Sequence, residues 1–121
     1  MADSDARDQD RPGGPFRFRV SDSVDVPLRG HMLRLRLLDG RPAVADLGKG
    51  RRLRVSAPTG AAREVTILDH ATTSGRTTQA RLDRVGELDV IISDADAAAG
   101  DRLIGIGWTA EGPVDRKAGA G

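Results

Sequence analysis

Three stretches of this chain alternate strictly between arginine and a large apolar residue, and this period of two constrains the fold more than any other feature. They are FRFRV at residues 16–20, LRLRL at 33–37 and RLRV at 52–55. Successive side chains of an extended strand point to opposite faces, so the pattern predicts three half-buried β-strands. The apolar row of each strand should face a core, and the arginine row should face solvent.

Shorter apolar stretches between turn residues continue this pattern along the chain. Residues 63–68, 77–82, 87–92 and 103–108 are predicted as strands because they combine apolar and β-branched residues with alternation. The inward side chains named by this alternation are Val65, Ile67, Ala80, Leu82, Ile104, Ile106 and Trp108. Only residues 94–100 predict helix, as one short turn with Asp94 as its N-cap.

The number of predicted strands favours a closed sheet. Seven strands with one inward face each would leave two exposed edges in an open sheet, and closure into a barrel removes them. We therefore predict an all-β domain, a closed barrel of some seven strands in preference to a sandwich, over residues 16–110. The acidic segment 1–15 and the Gly-rich segment 111–121 predict a disordered leader and a disordered tail.

Composition excludes several classes of protein. The chain has no cysteine, which removes disulfides and cysteine-based zinc sites. No apolar run is long enough to span a bilayer, and residues 1–14 lack the pattern of a signal peptide. The expectation is a cytoplasmic protein without a membrane partner. A net charge of +1 gives the whole chain no strong nucleic-acid signature.

The order of strands and turn residues resembles domain 2 of elongation factor Tu and related translational GTPases. The matching features are the aromatic-led strand at 16–20, Asp22, Val26, Arg29-Gly30, the long strand 31–38 with Gly40, the segments 50–55 and 86–92, residues 95–99, and Gly100-Asp101-Arg102-Leu103. Arg51 departs from the pattern, which has an acidic residue there. The resemblance implies a six-stranded closed barrel that serves as a binding module.

The resemblance does not extend to nucleotide binding. The only segment near a phosphate loop is Gly48-Lys49-Gly50, which lacks the required glycine spacing and the helix that must follow it. We expect a free-standing barrel without the GTPase domain, and with neither nucleotide nor another cofactor.

Catalytic and metal-binding chemistry is not predicted. His31 and His70 are the only histidines, and both are expected to be ordinary surface residues. Asp69 is adjacent to His70 and would point to the opposite face of a strand, where it cannot orient the ring; Ser74 lies nearby. The aspartates at positions 94, 96 and 101 do not follow the spacing of a calcium loop. The expectation is a domain that is not an enzyme and holds no metal.

The outward arginines form the candidate binding surface. They are Arg17, Arg19, Arg34, Arg36, Arg52 and Arg54. If the first three strands are neighbours, these side chains could form one basic face for RNA, a ribonucleoprotein or an acidic protein. Because no aromatic residue is outward, RNA contact would be electrostatic and sensitive to salt. Two alternatives stay open: a protein–protein adaptor or homo-oligomeric domain, and a solvated exterior whose arginines pair with acids on adjacent strands.

Overall fold

The computed structural model describes residues 13–71, 78–98 and 102–114. Its strands are β1 (Phe16–Val26), β2 (Gly30–Gly40), β3 (Arg52–Ser56), β4 (Ala62–Thr66), β5 (Asp69–His70), β6 (Glu87–Ile92) and β7 (Thr109–Gly112). The helical elements are a 3₁₀ turn (Val44–Leu47), α1 (Gln79–Val85) and α2 (Asp94–Ala97). The seven strands form one sheet in the order β4-β3-β7-β1-β2-β6-β5, with every described pair antiparallel. The all-β prediction is confirmed.

The predicted closure into a barrel is not confirmed, because the paired strands form an open order. The two end strands, β4 and β5, are nevertheless separated in the chain only by Ile67 and Leu68. The Ile67 amide donates to the Arg51 carbonyl beside β3 (2.8 Å), whereas the Leu68 amide donates to the Ile91 carbonyl of β6 (2.7 Å). This two-residue segment therefore forms hydrogen bonds near both ends of the strand order, beside β3 and with β6.

The core follows the apolar rows of the first three predicted strands, as expected. Its buried members from these strands are Phe16, Phe18, Val20, Leu33, Leu35, Leu53 and Val55. The two phenylalanine rings pack edge to face, with centroids 5.5 Å apart and an interplanar angle of 72°. Burial of such side chains contributes roughly 1.5–3 kcal/mol each, so these alternating rows supply much of the stabilisation of the sheet.

The β1–β2 hairpin is longer than predicted and contains an irregularity that reverses the phase of β1. The register shifts between Val20 and Asp22, and beyond this point Ser23 pairs with Leu33 and Asp25 with His31. An extra residue in one strand turns the following side chains to the other face. Beyond the shift, the side chains of β1 on the same face as His31 are those of Ser23, which is half-buried, and Asp25, which is exposed, at one end of the sheet.

The strand predicted over residues 77–82 is wrong in its described part, because residues 79–82 lie in helix α1. The Thr78 hydroxyl accepts a hydrogen bond from the Arg81 amide, and Gly86 ends the helix in the left-handed region with its amide bonded to the Leu82 carbonyl. Both are standard helix-end contacts. Leu82 is buried as expected, whereas Ala80 is exposed.

The strand predicted over residues 103–108 is also wrong. Gly107 has φ +96° and the Trp108 amide donates to the Gly105 carbonyl, so the two glycines form a turn in place of an extended segment. Ile104 and Trp108 are buried, but Ile106 is 64% exposed. The sheet resumes at β7 and continues to Gly112, past the expected domain end at residue 110.

The short helical turn is present as α2, but its N-cap is Ser93 and not Asp94: the Ser93 hydroxyl accepts from the Asp96 amide. Residues 1–12, 72–77, 99–101 and 115–121 lie outside the described residues, and with them most of the predicted leader and tail. Within the part of the chain that is described, no helix has the length and apolar character needed to cross a membrane.

Candidate functional site

The six arginines of the predicted binding surface all lie on the outward face of the sheet, alternating with buried neighbours. Arg17 and Arg19 are in β1, Arg34 and Arg36 in β2, and Arg52 and Arg54 in β3. Strand β7 lies between β1 and β3, so the third pair is separated from the first by a strand that carries Glu111. The arginines therefore share a face without forming one continuous basic patch.

Carboxylates alternate with the arginines across the strands. Glu64 is opposite Arg54, Arg54 is opposite Glu111, Glu111 is opposite Arg17, and Arg17 is opposite Asp39. Directly opposite residues of an antiparallel pair lie close enough for their charges to interact. Arg17 and Arg54 are consequently each flanked by two acidic side chains. Neither forms an ion pair among the described residues, so the acids act on them through register alone.

Arg34, unlike Arg17 and Arg54, forms an ion pair with an acid on the adjacent strand. It lies between Asp22 and Asp89 in the register, and its Nε and Nη2 donate to the two Asp89 carboxylate oxygens over 2.9 and 3.1 Å. These hydrogen bonds, together with the charge of Asp89, raise the pKa of Arg34. Arg52 donates to Glu64 over 3.1 Å. Both guanidinium groups are occupied within the sheet.

Arg19 and Arg36 differ from the other four because they face each other. They are directly opposite across β1 and β2, and both are exposed. The other cross-strand neighbours are Thr109 for Arg19 and Glu87 for Arg36. Neither arginine has an ion pair within the described ranges. Like charges directly opposite destabilise a sheet, so an anion bound between them would be favoured.

His70 is half-buried, and its ring contacts a backbone carbonyl. Its Nε2 lies 2.6 Å from the Leu47 carbonyl oxygen, which can only accept, so Nε2 donates there. The Asp69 carboxylate accepts from the His70 amide at 2.8 Å and not from the ring. Ser74, named with this histidine, lies outside the described residues.

The expectation that His31 is a surface histidine is wrong, because its side chain is only 5% exposed. The phase change in β1 places the half-buried Ser23 and the exposed Asp25 beside it. A ring nitrogen of His31 and one carboxylate oxygen each from Asp25 and Asp94 lie within 4.8 Å of one another. The alternation in the sequence did not reveal this cluster, since the bulge that aligns it has no signature in residue type.

The contacts of Ser23 determine the hydrogen position on His31. The Ser23 hydroxyl donates to the Ile104 carbonyl over 2.6 Å, and its oxygen also lies 2.6 Å from His31 Nε2. A hydroxyl has one proton, so with that proton directed at Ile104 the hydrogen between Ser23 and His31 must belong to Nε2. The serine is thus not deprotonated by His31, and Nδ1 is the ring nitrogen that is not bonded to Ser23.

Comparisons with protein families, with curated proteins and with solved structures find no match for this chain. The outward arginines and the cluster around His31 are therefore the two features of the chain that indicate a function.

Proposed function

We propose that this chain is a non-catalytic binding module that docks on the phosphate backbone of RNA, with Arg19 and Arg36 as the principal contacts. The observation that carries the proposal is the direct opposition of these two exposed arginines without an ion pair among the described residues. A phosphate between them would relieve their mutual repulsion and accept charge-assisted hydrogen bonds from both.

The surroundings of this pair suit a polyanion. Thr109 of β7 is directly opposite Arg19, and Ser56 of β3 is directly opposite Thr109. Two hydroxyl groups therefore continue the row of side chains from Arg36 and Arg19 across β7 and β3. Adjacent strands are about 4.8 Å apart, which spreads the four side chains over roughly 14 Å. Hydroxyl and guanidinium groups are typical phosphate contacts, and they position a backbone without reading sequence.

The other four arginines have a smaller part in the proposed surface. Arg17 and Arg54 are each between two carboxylates, and Arg34 and Arg52 already donate to acids. Phosphate would have to compete with these carboxylates, which offsets its attraction. The candidate basic face of six residues is thereby reduced to one pair.

The proposal includes the finer architecture expected from the resemblance, a closed barrel similar to domain 2 of elongation factor Tu. Its support is the segment around Ile67 and Leu68, whose amides bond to carbonyls on opposite ends of the strand order. A strand that bends between two neighbours in this way is a common means of closing a small barrel.

The test compares the double variant R19Q/R36Q with the single variant Arg54→Gln, both of which replace arginine by glutamine. The affinity for a fluorescent single-stranded oligouridylate at low salt is expected to fall about tenfold or more in R19Q/R36Q, because two charge-assisted contacts are lost. Arg54→Gln, which removes one arginine from the same face, is the control and should change affinity less than twofold, since Arg54 lies directly opposite two acidic residues, Glu64 and Glu111.

Equal losses in both variants would contradict the assignment to Arg19 and Arg36. Absence of any RNA binding by the wild-type chain at low salt would refute the RNA partner. In that case, capture of a partner protein that survives nuclease and high salt would indicate an adaptor.

A further inference from the structure

We propose that Asp25, His31 and Asp94 bind a divalent transition-metal ion at the polar end of the β1–β2 hairpin. One ligand atom from each residue lies within 4.8 Å of the other two. Ligand atoms arranged tetrahedrally around zinc at ~2.1 Å are roughly 3.4 Å apart, so a modest movement of the side chains would complete the site.

The buried histidine of the proposed site is held in place by the sheet, whereas the two aspartates have room to move. His31 is 5% exposed and held by β2 between β1 and β6. Asp25 and Asp94 are exposed, so their carboxylates can rotate toward the ring without disturbing the core. Asp94 is the first residue of α2, but Ser93 provides the cap, so the Asp94 carboxylate is not needed there.

The hydrogen bonds of His31 leave one nitrogen for a metal. Nε2 donates to Ser23, whose own proton goes to Ile104. Nδ1 has no hydrogen-bond partner among the described residues. A ring that donates through one nitrogen and offers the other to a metal is the usual arrangement of a ligating histidine.

The donor set indicates the class of ion. An imidazole nitrogen suits Zn²⁺, Fe²⁺ and Ni²⁺ better than the hard cations Mg²⁺ and Ca²⁺, which prefer oxygen alone. Three protein ligands leave a coordination position for water or for a group on a partner. The proposed ion would also neutralise two exposed aspartates.

Zn²⁺ alone serves as the probe, with the full chain titrated by calorimetry after treatment with a chelator. We expect one Zn²⁺ per chain at this site, and at least a tenfold loss of affinity in Asp25→Asn and in Asp94→Asn, because each removes a direct ligand. Asp69→Asn is the matched control: this exposed aspartate also neighbours a histidine, but His70 donates its Nε2 hydrogen to Leu47.

Nitrogen chemical shifts of the histidine rings provide a second measurement that does not depend on the variants. Addition of Zn²⁺ should change the Nδ1 resonance of His31 most, and leave both nitrogens of His70 almost unchanged. The proposal is overturned if Zn²⁺ shows no saturable binding at millimolar concentration. It is also overturned if Asp25→Asn and Asp94→Asn bind as tightly as Asp69→Asn, or if His31 Nδ1 does not respond.

Discussion

Gly30 and Ile92 approach each other so closely that a Cβ atom on Gly30 would lie 2.3 Å from the Ile92 carbonyl oxygen. Gly30 also has φ +128°, which other residues rarely adopt. The contact occurs where β2 begins, one residue before His31 pairs with Ile92 of β6. The glycine therefore allows the two strands to meet at the end of the sheet that contains the histidine cluster.

Replacing this glycine is expected to be costly. Gly30→Ala combines backbone strain with a clash against a main-chain oxygen, and should lower the free energy of unfolding by roughly 2 kcal/mol or more. Gly60→Ala is the control, because Gly60 has φ +101° but nothing within 4 Å of the added Cβ. It should cost about 1 kcal/mol. Urea unfolding measures both, and equal losses would show that the contact with Ile92 has no effect of its own.

The Arg34–Asp89 pair should contribute more to stability than the other outward ion pairs. The side chain of Asp89 is 13% exposed, compared with 44% for that of Glu64 in the Arg52–Glu64 pair. A double-mutant cycle with Arg34→Ala and Asp89→Ala should give a coupling energy of about 1 kcal/mol. The same cycle at Arg52 and Glu64 should give about 0.3 kcal/mol. A smaller coupling for Arg34–Asp89 than for Arg52–Glu64 would contradict this ranking.

Acid should weaken the contact between helix α1 and the segment that precedes the 3₁₀ turn. Hydrogen bonds from Arg41 and from Gln79 lower the pKa of Asp83. A carboxyl group whose pKa is lower in the folded state stabilises above its unfolded pKa of about 3.9, and this stabilisation is lost as pH falls through the folded pKa.

Asp83→Asn should therefore be less stable than wild type at pH 7, and the difference should shrink below about pH 4. Urea midpoints measured from pH 2.5 to 7, if the chain remains folded there, test this expectation. A difference that stays constant across the whole range would show that ionisation of Asp83 is not involved.

Sequence patterns identified the core but not the ends of the elements. The alternation at residues 16–20, 33–37 and 52–55 was sufficient to assign the buried rows, because a half-buried strand imposes a period of two. Residues 77–82 also alternate, yet Thr78 and Gly86 cap a helix there. In so short a segment, the capping contacts of two residues outweigh the strand preference of threonine.

The candidate sites depend on register, which residue type alone does not give. The arginines were correctly assigned to the outward face, but which of them oppose carboxylates depends on β7 lying between β1 and β3. The cluster around His31 depends on the shift between Val20 and Asp22, one extra residue that reverses the phase of β1. Neither arrangement is encoded locally in the strands that form it.

The salt dependence of RNA affinity tests the central claim most directly. Each phosphate contact of a single-stranded RNA adds about 0.7 to the slope of log affinity against log salt. For oligouridylate binding, R19Q/R36Q should therefore have a slope roughly 1.4 smaller in magnitude than wild type, whereas Arg54→Gln should retain the wild-type slope. A slope that is the same for wild type and R19Q/R36Q would show that Arg19 and Arg36 do not contact phosphate, and would contradict the account.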